Sequence, residues 1–129
     1  MNQYDPIVRL PLVVAAILCL LTGCTGDASD NASVGKERGR QLYEKHGCAA
    51  CHGAEGHGDG RISQTLNPAP RDFRKPENFR HGYEELQIAN TIRDGFAYDS
   101  RVMPKYDYLS KPDRRSMAIY IRSLAVLYE

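Results

Sequence analysis

Cys48, Ala49, Ala50, Cys51 and His52 place two thiols three positions apart, with an imidazole directly after the second. That spacing suits covalent haem attachment, in which each thiol forms a thioether with a vinyl group and the adjacent imidazole reaches the iron. Three other chemistries use thiols at this spacing, and each lacks something here. A dithiol redox motif belongs beside a βαβ pattern, and no strand run of Val, Ile and Thr is present. Structural zinc needs four ligands, and there is no second Cys pair. A Cys48–Cys51 disulfide would leave His52 without a role. The residues are therefore read as holding one haem c through Cys48, Cys51 and His52. Candidates for the second axial position are Met103, which Pro104 follows and stiffens, Met117 and His81. A methionine thioether favours reduced iron and raises the potential, whereas a second imidazole lowers it.

These residues need elements to position them. Ser33 and residues 36–45 contain few helix breakers, and Val34, Leu42 and Tyr43 share one helical face. Gly39, costly inside a helix by about 1 kcal/mol, makes sense where another helix approaches closely, and Tyr120 is the expected partner there. A middle helix is expected over residues 83–94, with Glu84 and Glu85 in its first turn, Leu86, Ala89 and Ile92 on one side and Gly95 as terminator. A closing amphipathic helix follows Pro112 and Asp113 over residues 114–127, where Met117, Ile121 and Leu124 recur at spacings of three and four. That pattern assigns Met117 to the core. No segment alternates at a period of two, so no sheet is expected.

Taken in order, these segments resemble a class I monohaem cytochrome c of the bacterial periplasmic, lipoprotein kind, from about residue 35 to residue 127. Gly39 to Gly47 is similar to the family's N-terminal helix, and Gly53 to Gly60 to the glycine-rich loop after the haem motif. Asn67 to Phe73 resembles the Pro-Arg segment, Val102-Met103-Pro104 the distal ligand loop, and Met117 to Leu124 the C-terminal helix. The resemblance implies an all-α cytochrome c fold, three to five helices wrapped around a covalently attached haem. It implies Met103 as sixth ligand in preference to His81, and a proline carbonyl, of Pro68 or Pro70, that accepts the other N–H of His52. Arg71 then pairs with a haem propionate, or else with Asp72 at the surface. Tyr98, Tyr106 and Tyr108 are placed to edge the haem or to pack near it. His46 and His57 lie too near the attachment motif to cross to the other haem face and read as solvated.

A six-coordinate haem leaves no open position for substrate. The function implied is single-electron transfer between respiratory or dehydrogenase redox partners, with no catalytic residues and no small-molecule substrate. The alternatives are a haem-based ligand sensor with a displaceable distal ligand and a fixed electron-transfer subunit of an oxidoreductase complex. With 17 Lys+Arg against 16 Asp+Glu interleaved along 129 residues, the chain lacks the basic surface a nucleic-acid partner requires. Its 42% hydrophobic content is uneven, densest in the first 23 residues, which leaves a thin supply for an all-protein core in the rest.

That N-terminal stretch follows Arg9 with an apolar run over residues 10–21, broken by Pro11 and too short for a membrane-spanning helix. Leu21-Thr22-Gly23-Cys24 resembles the lipobox of bacterial lipoproteins. Residues 1–23 are accordingly read as a lipoprotein signal peptide, Cys24 as the lipidated residue, residues 24–33 as a flexible tether and residues 34–129 as the cytochrome c domain. The expected location is the cell envelope, lipid-anchored and facing the periplasm, with the outer membrane favoured, or on the outer face of the cytoplasmic membrane.

Overall fold

The computed structural model describes residues 28–98 and 100–126. The signal peptide, the lipidation at Cys24 and the first part of the tether lie outside the described residues. The chain orders as α1 (Ala28–Lys45), α2 (Cys48–His52), two 3-10 turns (Ser63–Thr65 and Pro76–Asn78), α3 (Glu85–Asp94), β1 (Phe96–Tyr98), β2 (Arg101–Met103) and α4 (Lys111–Val126). Helix dominates, as the all-α reading requires.

Helix α1 starts at Ala28, so residues 28–33, expected as flexible tether, are helical. The correction has a simple cause. No Gly or Pro stands between Ala28 and Val34, and once a turn is nucleated each further residue adds a hydrogen bond at little entropic cost. Helix α3 begins at Glu85 rather than Tyr83 because Glu84 forms a capping box with Gln87, whose side-chain oxygen accepts the Glu84 amide at 3.0 Å. Its inward face is Ile88, Ala89 and Ile92, while Leu86, expected inside, is 63% exposed. Helix α4 begins three residues before Arg114. The Ser110 hydroxyl accepts the Asp113 amide at 3.2 Å, an N-cap bond that makes Lys111 the first helical residue. Pro112 fits this first turn because its missing N–H has no intrahelical acceptor there.

Helices α1 and α4 cross at Gly39. A Cβ there would overlap the Ser116 carbonyl, at 2.6 Å from its carbon, and stand 2.8 Å from the Tyr120 Cβ. Helix α4 also packs against α3, and the core between the three is Leu42, Tyr43, Ile88, Ala89, Ile92, Met117, Ala118, Tyr120, Ile121 and Leu124, with Phe73 and Leu109 from the loops. Met117, at 1% exposure, is core as expected.

The strands were not expected. Strands β1 and β2 pair antiparallel, Phe96 opposite Met103, Ala97 opposite Val102 and Tyr98 opposite Arg101. Three residues is too short for a period of two to show, and both Ala97 and Tyr98 are exposed, so no alternation exists to be read. Among the described residues no helix is long and apolar enough to cross a membrane.

Candidate haem site

The five-residue helix α2 carries Cys48, Cys51 and His52, and is too short to stand alone. The loop that follows it takes up its carbonyl groups. The Gly53 amide donates to the Ala49 carbonyl at 2.9 Å, Gly58 to His52 at 2.8 Å, Gly60 to Cys51 at 3.2 Å and Ile62 to Ala50 at 3.1 Å. Every terminal carbonyl of α2 is thereby satisfied by one folded-back loop. Such closeness is why glycines recur there. A Cβ on Gly60 would overlap the Ala50 carbonyl and one on Gly58 the Pro70 carbonyl.

Helix α2 forms one wall of a cavity of about 370 Å³. Cys48, Cys51 and His52 line it together with Pro68, Pro70, Arg71 and Phe73 from the long loop, Ile88 and Ile92 from α3, Phe96 and Met103 from the ribbon, and His81 and Tyr106. Both thiols are free, and burial pushes the Cys48 thiol up to about 11. Burial also drives the His52 pKa down to about 4, opposed only in part by the Arg71 backbone. The imidazole is therefore neutral at neutral pH, the form that coordinates a metal. Its Nδ1 is buried with no hydrogen-bond partner. Phe73 stacks on the imidazole at 4.5 Å and 24°.

These residues fit a haem. Two free thiols, a neutral imidazole and a neutral thioether border an apolar space that the protein's own side chains leave open.

The other expected residues distribute unevenly. Met103 and His81 both line the cavity, as do Pro68 and Pro70. Neither proline carbonyl makes the expected bond, since the His52 Nδ1 has no partner. The Arg71 guanidinium donates to the Asn78 carbonyl and lies 6.0 Å from the Phe79 ring centre. Asp72, named as its surface alternative, pairs with Arg74 at 2.6 Å. Of the three tyrosines only Tyr106 lines the cavity. Tyr98 and Tyr108 are 58% and 67% exposed, Tyr98 beneath Arg80 at 5.1 Å and Tyr108 against the His46 Nδ1 at 3.3 Å. His46 and His57 are half-buried rather than solvated. His46 meets the Tyr106 ring at 6.4 Å, and His57 lies 3.6 Å from Glu55 and 3.9 Å from Asp59. Sequence reasoning missed the roles of Phe73, Ile88 and Phe96. The spacing of Ile88 and Ile92 was an available signal for one of them.

The model of the family described as cytochrome c matches residues 36–125. The chain is 29% identical over 109 residues to a cytochrome c oxidase subunit 2 of Alkalihalophilus pseudofirmus, a match covering 81% of this chain and 30% of that protein. Among solved structures, a chain of the Kuenenia stuttgartiensis reducing HAO-like protein complex is similar with a TM-score of 0.55 and 31% identity. That likeness covers 72% of this chain and 44% of the other. The chain thus spans less than half the length of either relative.

Proposed function

The chain belongs to the cytochrome c family, with its covalently attached haem c, and from that membership we propose a membrane-tethered single-electron carrier with His52 and Met103 as axial ligands. The observation that carries this reading is the convergence of Cys48, Cys51, His52 and Met103 on one cavity. When bound, the haem supplies reversible one-electron ferric/ferrous chemistry. The chain's own residues do the rest. Cys48 and Cys51 supply the thioether sulfurs, and the loop that clamps α2 keeps both beside His52. Ile88, Ile92 and Phe96 keep water away from the cavity, and Arg71 at its edge offers a cation to a carboxylate of the cofactor. With His52 and Met103 both held as ligands when haem is bound, electron transfer would be outer-sphere and would need no catalytic residue.

The partners proposed are redox proteins, donor and acceptor. Both relatives are by name parts of larger assemblies, which supports a role beside or within an oxidoreductase complex. Lipid on Cys24, from the lipobox-like Leu21-Thr22-Gly23-Cys24, supports attachment at the cell envelope.

Haem staining of the full chain on a denaturing gel tests the attachment, with loss of the stain expected in a Cys48→Ser/Cys51→Ser variant. Carbon monoxide tests the ligation. The reduced wild-type protein at neutral pH should not bind it; ready binding would move the reading to a ligand sensor with a displaceable distal residue.

A further inference from the structure

Tyr43 is 1% exposed, and nothing in haem attachment calls for a hydroxyl at that place, since phenylalanine would fill nearly the same volume. Its hydroxyl donates to the Gly53 carbonyl at 2.7 Å, on the residue directly after His52. Tyr120 repeats the device from α4, donating to the Ala54 carbonyl at 3.2 Å, and the two rings meet at 5.3 Å. Burial pushes the Tyr43 phenol well up, so it remains a donor at any working pH. The same ring meets Phe73 edge-on at 6.5 Å, and Phe73 is the ring stacked on His52. Two connections therefore run from Tyr43 to the imidazole, one through the backbone at Gly53 and one through Phe73. His52 Nδ1 has no hydrogen-bond partner, so beside the Arg71 backbone it is packing and the placement of the helix end that orient the ring.

We propose that Tyr43 is a positioning residue for His52, its hydroxyl fixing the end of the haem-bearing helix and its ring backing Phe73 against the imidazole. This rests on reading His52 as an iron ligand. Loosening the ring weakens its donation to ferric iron, so the potential rises. It also changes the azimuth of the imidazole, which sets how spin spreads over the haem methyl groups.

The test uses the haem-loaded full chain as wild type, Tyr43→Phe, Tyr120→Phe and Phe73→Leu. A pyridine haemochrome assay on each first establishes covalent haem; its absence from the wild type would overturn the haem reading and this proposal with it. Tyr43→Phe should keep its haem and helix content, shift the reduction potential upward and alter the pattern of hyperfine-shifted haem methyl resonances. Tyr120→Phe, one residue further from His52, should shift both less. Phe73→Leu should alter the methyl pattern by the other route, and keeps the proposal testable should Tyr43→Phe not fold. A Tyr43→Phe protein of lower melting temperature whose potential and methyl pattern match wild type would reduce Tyr43 to a structural role, as would an unchanged methyl pattern in Phe73→Leu.

Discussion

His52 is fit to bind a metal because its surroundings are dry, and the same dryness separates Met103 from His81. Met103 is half-buried and ends a strand hydrogen-bonded to its neighbour, whereas His81 is exposed in a loop that would have to give up hydration to reach iron. In the ferric protein, Met103→Ala should abolish the long-wavelength charge-transfer band of sulfur ligation and lower the potential, and His81→Ala should leave both unchanged. The reverse result would transfer the ligand role. Asp72 supports a second expectation. The Arg74 guanidinium holds its carboxyl below the usual range at a side chain only 16% exposed. A depressed native pKa gives stability that is present above the unfolded value, about 4, and lost as pH falls through the native one. Asp72→Asn should therefore flatten the acid limb of a stability profile below about pH 4 while changing its neutral plateau less in shape, as denaturant midpoints across pH would show. The attachment residues were legible in sequence because thioether chemistry fixes their spacing. Phe73 was not recognised as the ring on His52, since that contact depends on how a long loop returns, pinned by the Phe73 amide on the Gly56 carbonyl at 2.7 Å.

Two glycines separate packing from backbone strain at the scale of the elements. At Gly39 the obstacle to a Cβ is the Ser116 carbonyl on the facing helix, which cannot move unless α1 and α4 part. Gly39→Ala should cost about 3 kcal/mol, at the upper end for overpacking. At Gly47, between α1 and α2, a Cβ meets nothing, yet φ is +73°. Gly47→Ala should cost only about 1 kcal/mol, the penalty of a left-handed residue. Urea midpoints of the haem-loaded proteins would rank them, and equal losses would refute the crossing argument. Gly39 and Tyr120 could be paired from sequence because a glycine amid helix formers needs a reason. The limits of the helices were less legible. Those of α3 and α4 are set by Glu84 and Ser110, whose capping bonds compete with plausible starts nearby. The ribbon was invisible because pairing with a neighbour, rather than side-chain alternation, makes three-residue strands.

At the scale of the whole molecule the protein core is thin. Three helices and two loop residues supply the buried apolar side chains, and beside them lies the apolar cavity proposed for the haem, where the cofactor would belong to the core as much as to the redox chemistry. A Cys48→Ala/Cys51→Ala chain should melt less cooperatively and expose apolar surface to a hydrophobic dye. The start of α1 matters to the tether in turn. With helix beginning at Ala28, only Thr25, Gly26 and Asp27 separate it from the proposed lipid on Cys24, a span of at most about 14 Å when extended. If lipid is carried on Cys24 as proposed, a domain so close to it would sweep little volume, and its partners would have to come to the same surface. Cys24→Ser should move the protein from the membrane to the soluble fraction with its haem spectrum unchanged. Inserting a Gly/Ser segment before Ala28 should leave it membrane-bound but change the rate at which membrane partners reduce it. Retention of the Cys24→Ser protein on membranes would assign the anchoring to something other than lipid on that residue.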